Sequence, residues 1–185
     1  MVSEILEELQ SGFEKSLEAL RRELARVRTG RANLALLDGI RVDYYGSSTP
    51  LNQVAALAVA DPRLITIKPW EKNMIAVIER AIAKEGLGIN PTNDGEIIRL
   101  PIPPLSVERR RDLAKLVKNS GEQTKVALRN HRREALETLK EYTREGEITE
   151  DDETRGQKKV EDLMKEWTAK VQDVIDRKEK EIMEV

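Results

Sequence analysis

Three long stretches of this chain repeat apolar residues at every third or fourth position, and all seven prolines lie between the first stretch and the second. That arrangement leaves few folds open. An apolar strip at helical spacing is a face that must be buried, and a proline-rich block cannot continue a helix. In the first stretch, residues 4 to 28, Leu6, Leu9, Phe13, Leu17, Leu20, Leu24 and Val27 recur with charges between them. Thr29–Gly30 can end this helix, because glycine enters the left-handed C-terminal conformation without a Cβ clash. The second stretch opens at Ser106, a good N-cap residue. It follows Leu113, Val117, Ser120, Thr124, Leu128, His131, Ala135 and Tyr142 to about Glu145, and Gly146 ends it. Thr149 caps the third, with Glu150, Asp151 and Asp152 in its first turn. The helix dipole favours acids there, and Asp152 holds the capping-box position. Val160, Leu163, Trp167, Val171, Val174, Lys178 and Ile182 carry the pattern nearly to the C-terminus.

Helices of this size are roughly 40 to 60 Å long at about 1.5 Å per residue. None buries its strip alone, so the three must pack side by side as a bundle. The intervening block reads differently. Ile40 to Tyr45, Val54 to Ala60, Leu64 to Lys68 and Glu96 to Leu100 are strand candidates, and Met74 to Lys84 is a short helix. Gly46-Ser47-Ser48-Thr49-Pro50 is turn chemistry, and Pro101-Ile102-Pro103-Pro104 suits neither a helix nor a central strand. The predicted fold is α+β: a three-helix bundle of residues 1–30 and 105–185, with a β-rich domain of residues 31–104 inserted on two crossings. Two short crossings with proline on one side make a limited hinge, at Gly30 and Arg31 and at Pro104 and Leu105.

Composition supports long solvated helices over a broad core, because 36% of residues are charged and only 3% are aromatic. No apolar run approaches membrane-spanning length, and acidic residues follow Met1 where a signal peptide would place basic ones. The expectation is a cytoplasmic protein without membrane contact. The absence of cysteine removes disulfides, thiolate metal sites and cysteine nucleophiles together. No Walker loop, G-x-G-x-x-G, H-E-x-x-H or G-x-S-x-G occurs. His131 is the single histidine. Beside Arg132 and Arg133 it could accept a phosphoryl group, but its place on the apolar seam between Leu128 and Ala135 predicts a packed ring. No catalytic residue, metal or cofactor is therefore expected.

The net charge of −2 conceals an uneven distribution. Arg21, Arg22, Arg26, Arg28 and Arg31 cluster against Glu23 alone. The second helix opens with Arg109-Arg110-Arg111 and continues through Lys115, Lys118, Lys125, Arg129 and Arg132, a stripe beside its apolar seam. The third helix is acidic, most of all from Glu145 to Glu153. Guanidinium groups suit phosphate because they donate two parallel hydrogen bonds. The alternative is that the stripe pairs with the acidic third helix. No aromatic residues interleave with it, which favours duplex or folded RNA over stacked single strands.

These residues also occur in a known order. Arg28-Thr29-Gly30-Arg31-Ala32, Leu36-Leu37-Asp38-Gly39-Ile40 and Tyr44-Tyr45-Gly46 resemble the first half of the bacterial ribosome recycling factor family. Gly88-Ile89-Asn90-Pro91, Ile98-Arg99-Leu100-Pro101 and Pro103-Pro104-Leu105-Ser106 with Glu108-Arg109-Arg110 resemble its centre. Arg129-Asn130-His131-Arg132-Arg133 and Glu150-Asp151-Asp152 complete it. Ser106 stands where the family commonly has threonine, and His131 where it has an aliphatic residue. The resemblance implies an L-shaped pair of domains, acting as a monomer, that splits the post-termination ribosome into subunits together with elongation factor G and GTP. It also implies that the bundle binds rRNA of the large ribosomal subunit through Arg28, Arg31, Arg110, Arg129 and Arg132, and that the smaller, mobile domain is the part elongation factor G engages. A helical adaptor with an exposed apolar groove, and a phosphotransfer enzyme using His131, are the competing classes.

Overall fold

The computed structural model describes residues 1–184. The chain forms two compact units: Met1–Leu24 with Arg110 onward, and Ala25–Arg109. These divisions fall a few residues to the bundle side of the crossings expected after residues 30 and 104. One reason is that α1, Val2–Ala25, stops earlier than residue 28. Gly30 does take a left-handed conformation, with φ +75°, but in the crossing segment and not as the helix cap.

The first unit is helical. α1 buries Ile5, Leu9, Phe13, Leu17, Leu20 and Leu24 along one face. α3, Val107–Arg144, buries Leu113, Val117, Leu128, Ala135 and Leu139, and α4, Glu150–Met183, buries Val160, Val171, Ile175 and Ile182. The expected seam is right in period and differs in detail. Thr124, His131 and Tyr142 are half-buried at its edge, and Ile175 replaces Val174 in the core.

Glycines inside the helices record how closely they approach. A Cβ on Gly121 of α3 would lie 2.0 Å from Cδ1 of Ile175 on α4. One on Gly12 of α1 would meet the His131 ring at 3.0 Å, and one on Gly156 of α4 would meet Leu139 at 3.0 Å. Glycine costs up to about 1 kcal/mol of helix propensity relative to alanine, and here it lets the helices approach closely enough to pack.

The helix ends follow local chemistry. The Oγ of Ser106 accepts from the Arg109 N–H at 3.2 Å. Past the end of α3, Glu147 N–H donates to Tyr142 O at 2.9 Å and Gly146 N–H to Thr143 O at 3.1 Å, with Gly146 at φ +75°. These two bonds are the Schellman pattern, which satisfies carbonyls that the helix leaves over. Thr149 and Asp152 form the expected capping box.

In the second unit, β1 (Arg41–Tyr44) and β2 (Ser47–Pro50) form an antiparallel hairpin. β2 corrects the expectation that Gly46 to Pro50 is all turn. Tyr45 at φ 51° and Gly46 at φ 83° reverse the chain in two residues, so pairing resumes at Ser47. A four-stranded antiparallel sheet follows in the order β3-β4-β6-β5: Ala55–Asp61, Leu64–Pro69, Ile98–Pro101 and Thr92–Asn93. Pro101 does lie in a central strand. It pairs with Leu64 at the end of β6, beyond the reach of two-residue β5, so its missing N–H leaves no rung unmade. α2, Ile75–Lys84, closes one core in which Ile78 and Ile82 meet Val42, Ile65, Ile67, Ile98 and Leu100.

Candidate nucleic-acid interface

α3 carries eleven basic residues against six acidic ones, whereas α4 carries eight against eleven. Packing sorts the basic residues into two sets. Those nearest the α3–α4 seam are engaged. Arg132 Nη1 lies 3.3 Å from both carboxylate oxygens of Glu161. Lys125 Nζ donates to Gln172 at 2.7 Å and pairs with Glu122 at 3.2 Å. Lys118 Nζ lies 3.7 Å from Glu179. The pairing alternative is therefore realised for this edge of the stripe. Arg111, Lys115, Arg129 and Arg133 are exposed, and among the described residues they make no hydrogen bond or ion pair. Arg111 to Lys115 and Arg129 to Arg133 are gaps of four, and Arg111 to Arg129 is a gap of eighteen, five whole turns, which sets all four on one solvent-facing strip.

The five expected RNA-contacting arginines fall into different surroundings. Arg129 and Arg132 sit one turn apart, the first open to solvent, the second half-buried with its Nε buried and unpartnered among the described residues. Arg110 lies about 28 Å away along the helix at 1.5 Å per residue. Its Nη1 donates to Ile182 O at 3.1 Å and Glu184 O at 2.6 Å, so it closes the C-terminal end of α4. A cation there also suits the negative end of the helix dipole. Arg28 and Arg31 belong to the second unit. Arg28 is half-buried, and its Nη1 lies 3.6 Å from where a Cβ on Gly88 would be. Arg31 is exposed. At the expected hinge, Gly30 is buried against Leu105, whose backbone N lies 3.6 Å from the position of a Gly30 Cβ.

His131 is only half-buried, packed on one side at the edge of the seam rather than within it. Its ring lies over Gly12, meets Phe13 edge-on at 6.3 Å, and has Nε2 3.5 Å from Ser16 Oγ and Nδ1 3.7 Å from Glu134. Arg133, named in the sequence only as a neighbour of His131, belongs to the exposed strip. A second feature is a pair of exposed aromatics, Tyr45, which lies in the Tyr44-Tyr45-Gly46 motif, and Trp70, which no motif marks. Among the described residues, no cluster of three or more histidines and carboxylates is arranged to hold a metal ion, and no helix is long and apolar enough to cross a membrane.

Comparison with known proteins turns on coverage. The family model described as "Ribosome recycling factor" matches residues 20–183. The chain belongs to the ribosome recycling factor family. It is 53% identical over the whole length of both chains to the ribosome-recycling factor of Sorangium cellulosum, and 52% identical over the same span to that of Myxococcus xanthus. A solution structure of the ribosome recycling factor aligns with a TM-score of 0.78 at 36% identity, covering 100% of this chain and 98% of that one. A second structure, of the T. thermophilus factor and the E. coli elongation factor G bound to the E. coli post-termination complex, aligns at 0.68 with 41% identity, covering all of both chains. The family to which the motifs pointed is thus the family of the whole chain.

Proposed function

We propose that this protein recycles ribosomes in the cytoplasm. With elongation factor G and GTP it splits the post-termination complex into subunits, holding the large subunit's rRNA through the arginines of its bundle. The observation that carries this reading is the exposed cationic strip of α3 in a chain that matches the family along its whole length. The T. thermophilus factor placed beside elongation factor G on a post-termination complex supports the partner. Phosphates meeting Arg111, Lys115, Arg129 and Arg133 would displace condensed counterions, a sequence-independent attraction. Arg132, already held by Glu161, enters with its guanidinium oriented, which reduces the ordering cost of a contact. Arg110 serves the interface by holding α4 in place as well as by its charge. Arg28 and Arg31 add cations from the crossing segment, and Gly30–Arg31 with Pro104–Leu105 form the hinge. The protein supplies binding and movement, and the bond cleaved is in the GTP held by elongation factor G.

Sedimentation with isolated large and small subunits at two salt concentrations tests the reading. Binding is expected to the large subunit and to weaken with salt. Arg129→Ala, which breaks no hydrogen bond or ion pair among the described residues, should lower affinity and reduce the slope of log K against log salt by roughly 0.7 to 0.9. Arg132→Ala should act in the same direction. Wild-type affinity and slope in both folded variants would exclude these arginines as phosphate contacts. If neither subunit bound the parent protein at low salt, the recycling reading itself would fail.

A further inference from the structure

Three cations of α3 recur every seven residues: Lys118, Lys125 and Arg132. A row of that spacing follows a neighbouring helix in a bundle, because seven residues make almost two full turns. The neighbour is α4, and it sets an acceptor against each cation. Glu179 faces Lys118 at 3.7 Å, Gln172 faces Lys125 at 2.7 Å and Glu161 faces Arg132 at 3.3 Å. On α4 these three stand seven and eleven residues apart, about two turns and three, so they too share one edge. The result is a ladder of three rungs along the seam, beside the open strip of Arg111, Lys115, Arg129 and Arg133.

The ladder is partly shielded from water. The side chains of Lys125, Glu179 and Arg132 are 19%, 24% and 37% exposed. Arg132 Nε and Glu179 Oε1 are buried and make no hydrogen bond among the described residues. Partly buried pairs are screened by salt much less than open ones, so the carboxylates keep their hold where the exposed cations are screened. Partly exposed pairs add little to folding. Their larger effect falls on what the neighbouring strip binds.

A polyanion that touches only the strip meets four cations that make no bond among the described residues. To gain Lys118 or Arg132 it must reach the seam, separate an ion pair and approach a carboxylate. A generic duplex, matching the strip alone, gains little by doing so. A surface whose phosphates fit both rows at once engages all of these cations together. We infer that Glu161 and Glu179 are specificity-determining residues, which withhold Arg132 and Lys118 from non-cognate RNA and yield them to a surface shaped to reach the seam. The inference rests on the recycling reading for its cognate surface, the large ribosomal subunit.

The full chain carrying Glu161→Gln and Glu179→Gln tests it, since both charges go and an acceptor of the same size stays opposite each cation. The control, Asp162→Asn with Glu166→Gln, removes two charges from the side of α4 that lines a groove with α1. Binding is measured across salt concentrations to a synthetic RNA hairpin of arbitrary sequence and to isolated large subunits. In the seam variant the hairpin slope of log K against log salt should steepen by about 1.4 to 1.8, two further phosphate contacts, and affinity near 0.1 M salt should rise about 20-fold. Large-subunit affinity should rise no more than about fivefold, the gain from pairs that need not be separated, with its slope unchanged. Discrimination therefore falls. The control should keep both slopes of the parent. An unchanged hairpin slope in the seam variant overturns the inference. Equal steepening in the control also overturns it, by making total charge the cause, and so does an equal gain on large subunits. If the double variant does not fold, Glu161→Gln alone should give half the steepening, and none overturns the inference. Absence of large-subunit binding by the parent would defeat the recycling reading, while the hairpin slopes would still decide whether the pairs withhold the cations.

Discussion

Replacing Gly121 with alanine asks how tightly α3 and α4 are joined. On an exposed helix the change would stabilise by about 1 kcal/mol through propensity. Here the new methyl would stand 2.0 Å from Ile175 Cδ1 and 2.6 Å from its Cγ1, inside the contact distance of any real pair of carbons. Ile175 is 3% exposed and cannot swing into solvent without opening the seam. Overpacking costs about 1 to 3 kcal/mol, and an approach as close as this belongs at the upper end, about 2 to 3, so after the propensity gain a net destabilisation of about 1 to 2 kcal/mol is expected. Ile175→Ala alone leaves a cavity and costs about 2 to 5 kcal/mol. Together the two changes relieve each other. The Ile175 Cβ lies 3.9 Å from the new methyl, an ordinary contact, and the methyl fills part of the space vacated. The double variant should therefore be more stable than Ile175→Ala by about 1 kcal/mol, a coupling of at least about 2 kcal/mol. Urea unfolding at constant m-value measures all three. A stabilising Gly121→Ala, or additive single changes, would refute the close approach as the reason for this glycine.

Three further outcomes are expected. Asp94 accepts backbone N–H bonds from Ile97 and Glu96 and pairs with Arg99 at 2.9 Å, and its pKa falls from 3.8 to about 2, led by the Ile97 bond. A depressed pKa stabilises the fold above about pH 4 and loses that contribution as pH falls toward 2. Asp94→Asn should flatten acid unfolding within that window, seen as a smaller change of urea midpoint between pH 4 and pH 2. Gly146→Ala forces an L-residue to φ +75° at the end of α3 and should cost about 1 kcal/mol by urea unfolding. Arg110→Ala frees the carbonyls of Ile182 and Glu184, so hydrogen exchange should accelerate in the last turn of α4 while the centre of α4 stays protected.

How much could be read without the fold depends on how far each interaction reaches along the chain. Ser106, Gly146, Thr149 and Asp152 mark helix ends through bonds spanning three to five residues, so their meaning lies within a short window. The grouping of every proline between two helical stretches located the insertion for the same reason. The end of α1 is not legible in the sequence, because a glycine at residue 30 looks the same whether it caps a helix or turns a crossing. The length of the turn after Tyr44 is not legible either, because serines, a threonine and a proline can be turn or edge strand until a partner strand is present.

By itself, then, the sequence determined the helical period, the caps, the inserted β-rich block and, through the order of its motifs, the family. Tertiary structure decided which charges remain available. Arg129 and Arg132 are three residues apart and chemically identical, yet only the packing of α4 puts Glu161 against one and leaves the other open. It also decided that Gly121 is needed, by placing Ile175 opposite from another helix, and that the Tyr45 hydroxyl donates to Glu71, 26 residues away. Contacts of that kind depend on where distant segments come to rest, and no local pattern encodes them.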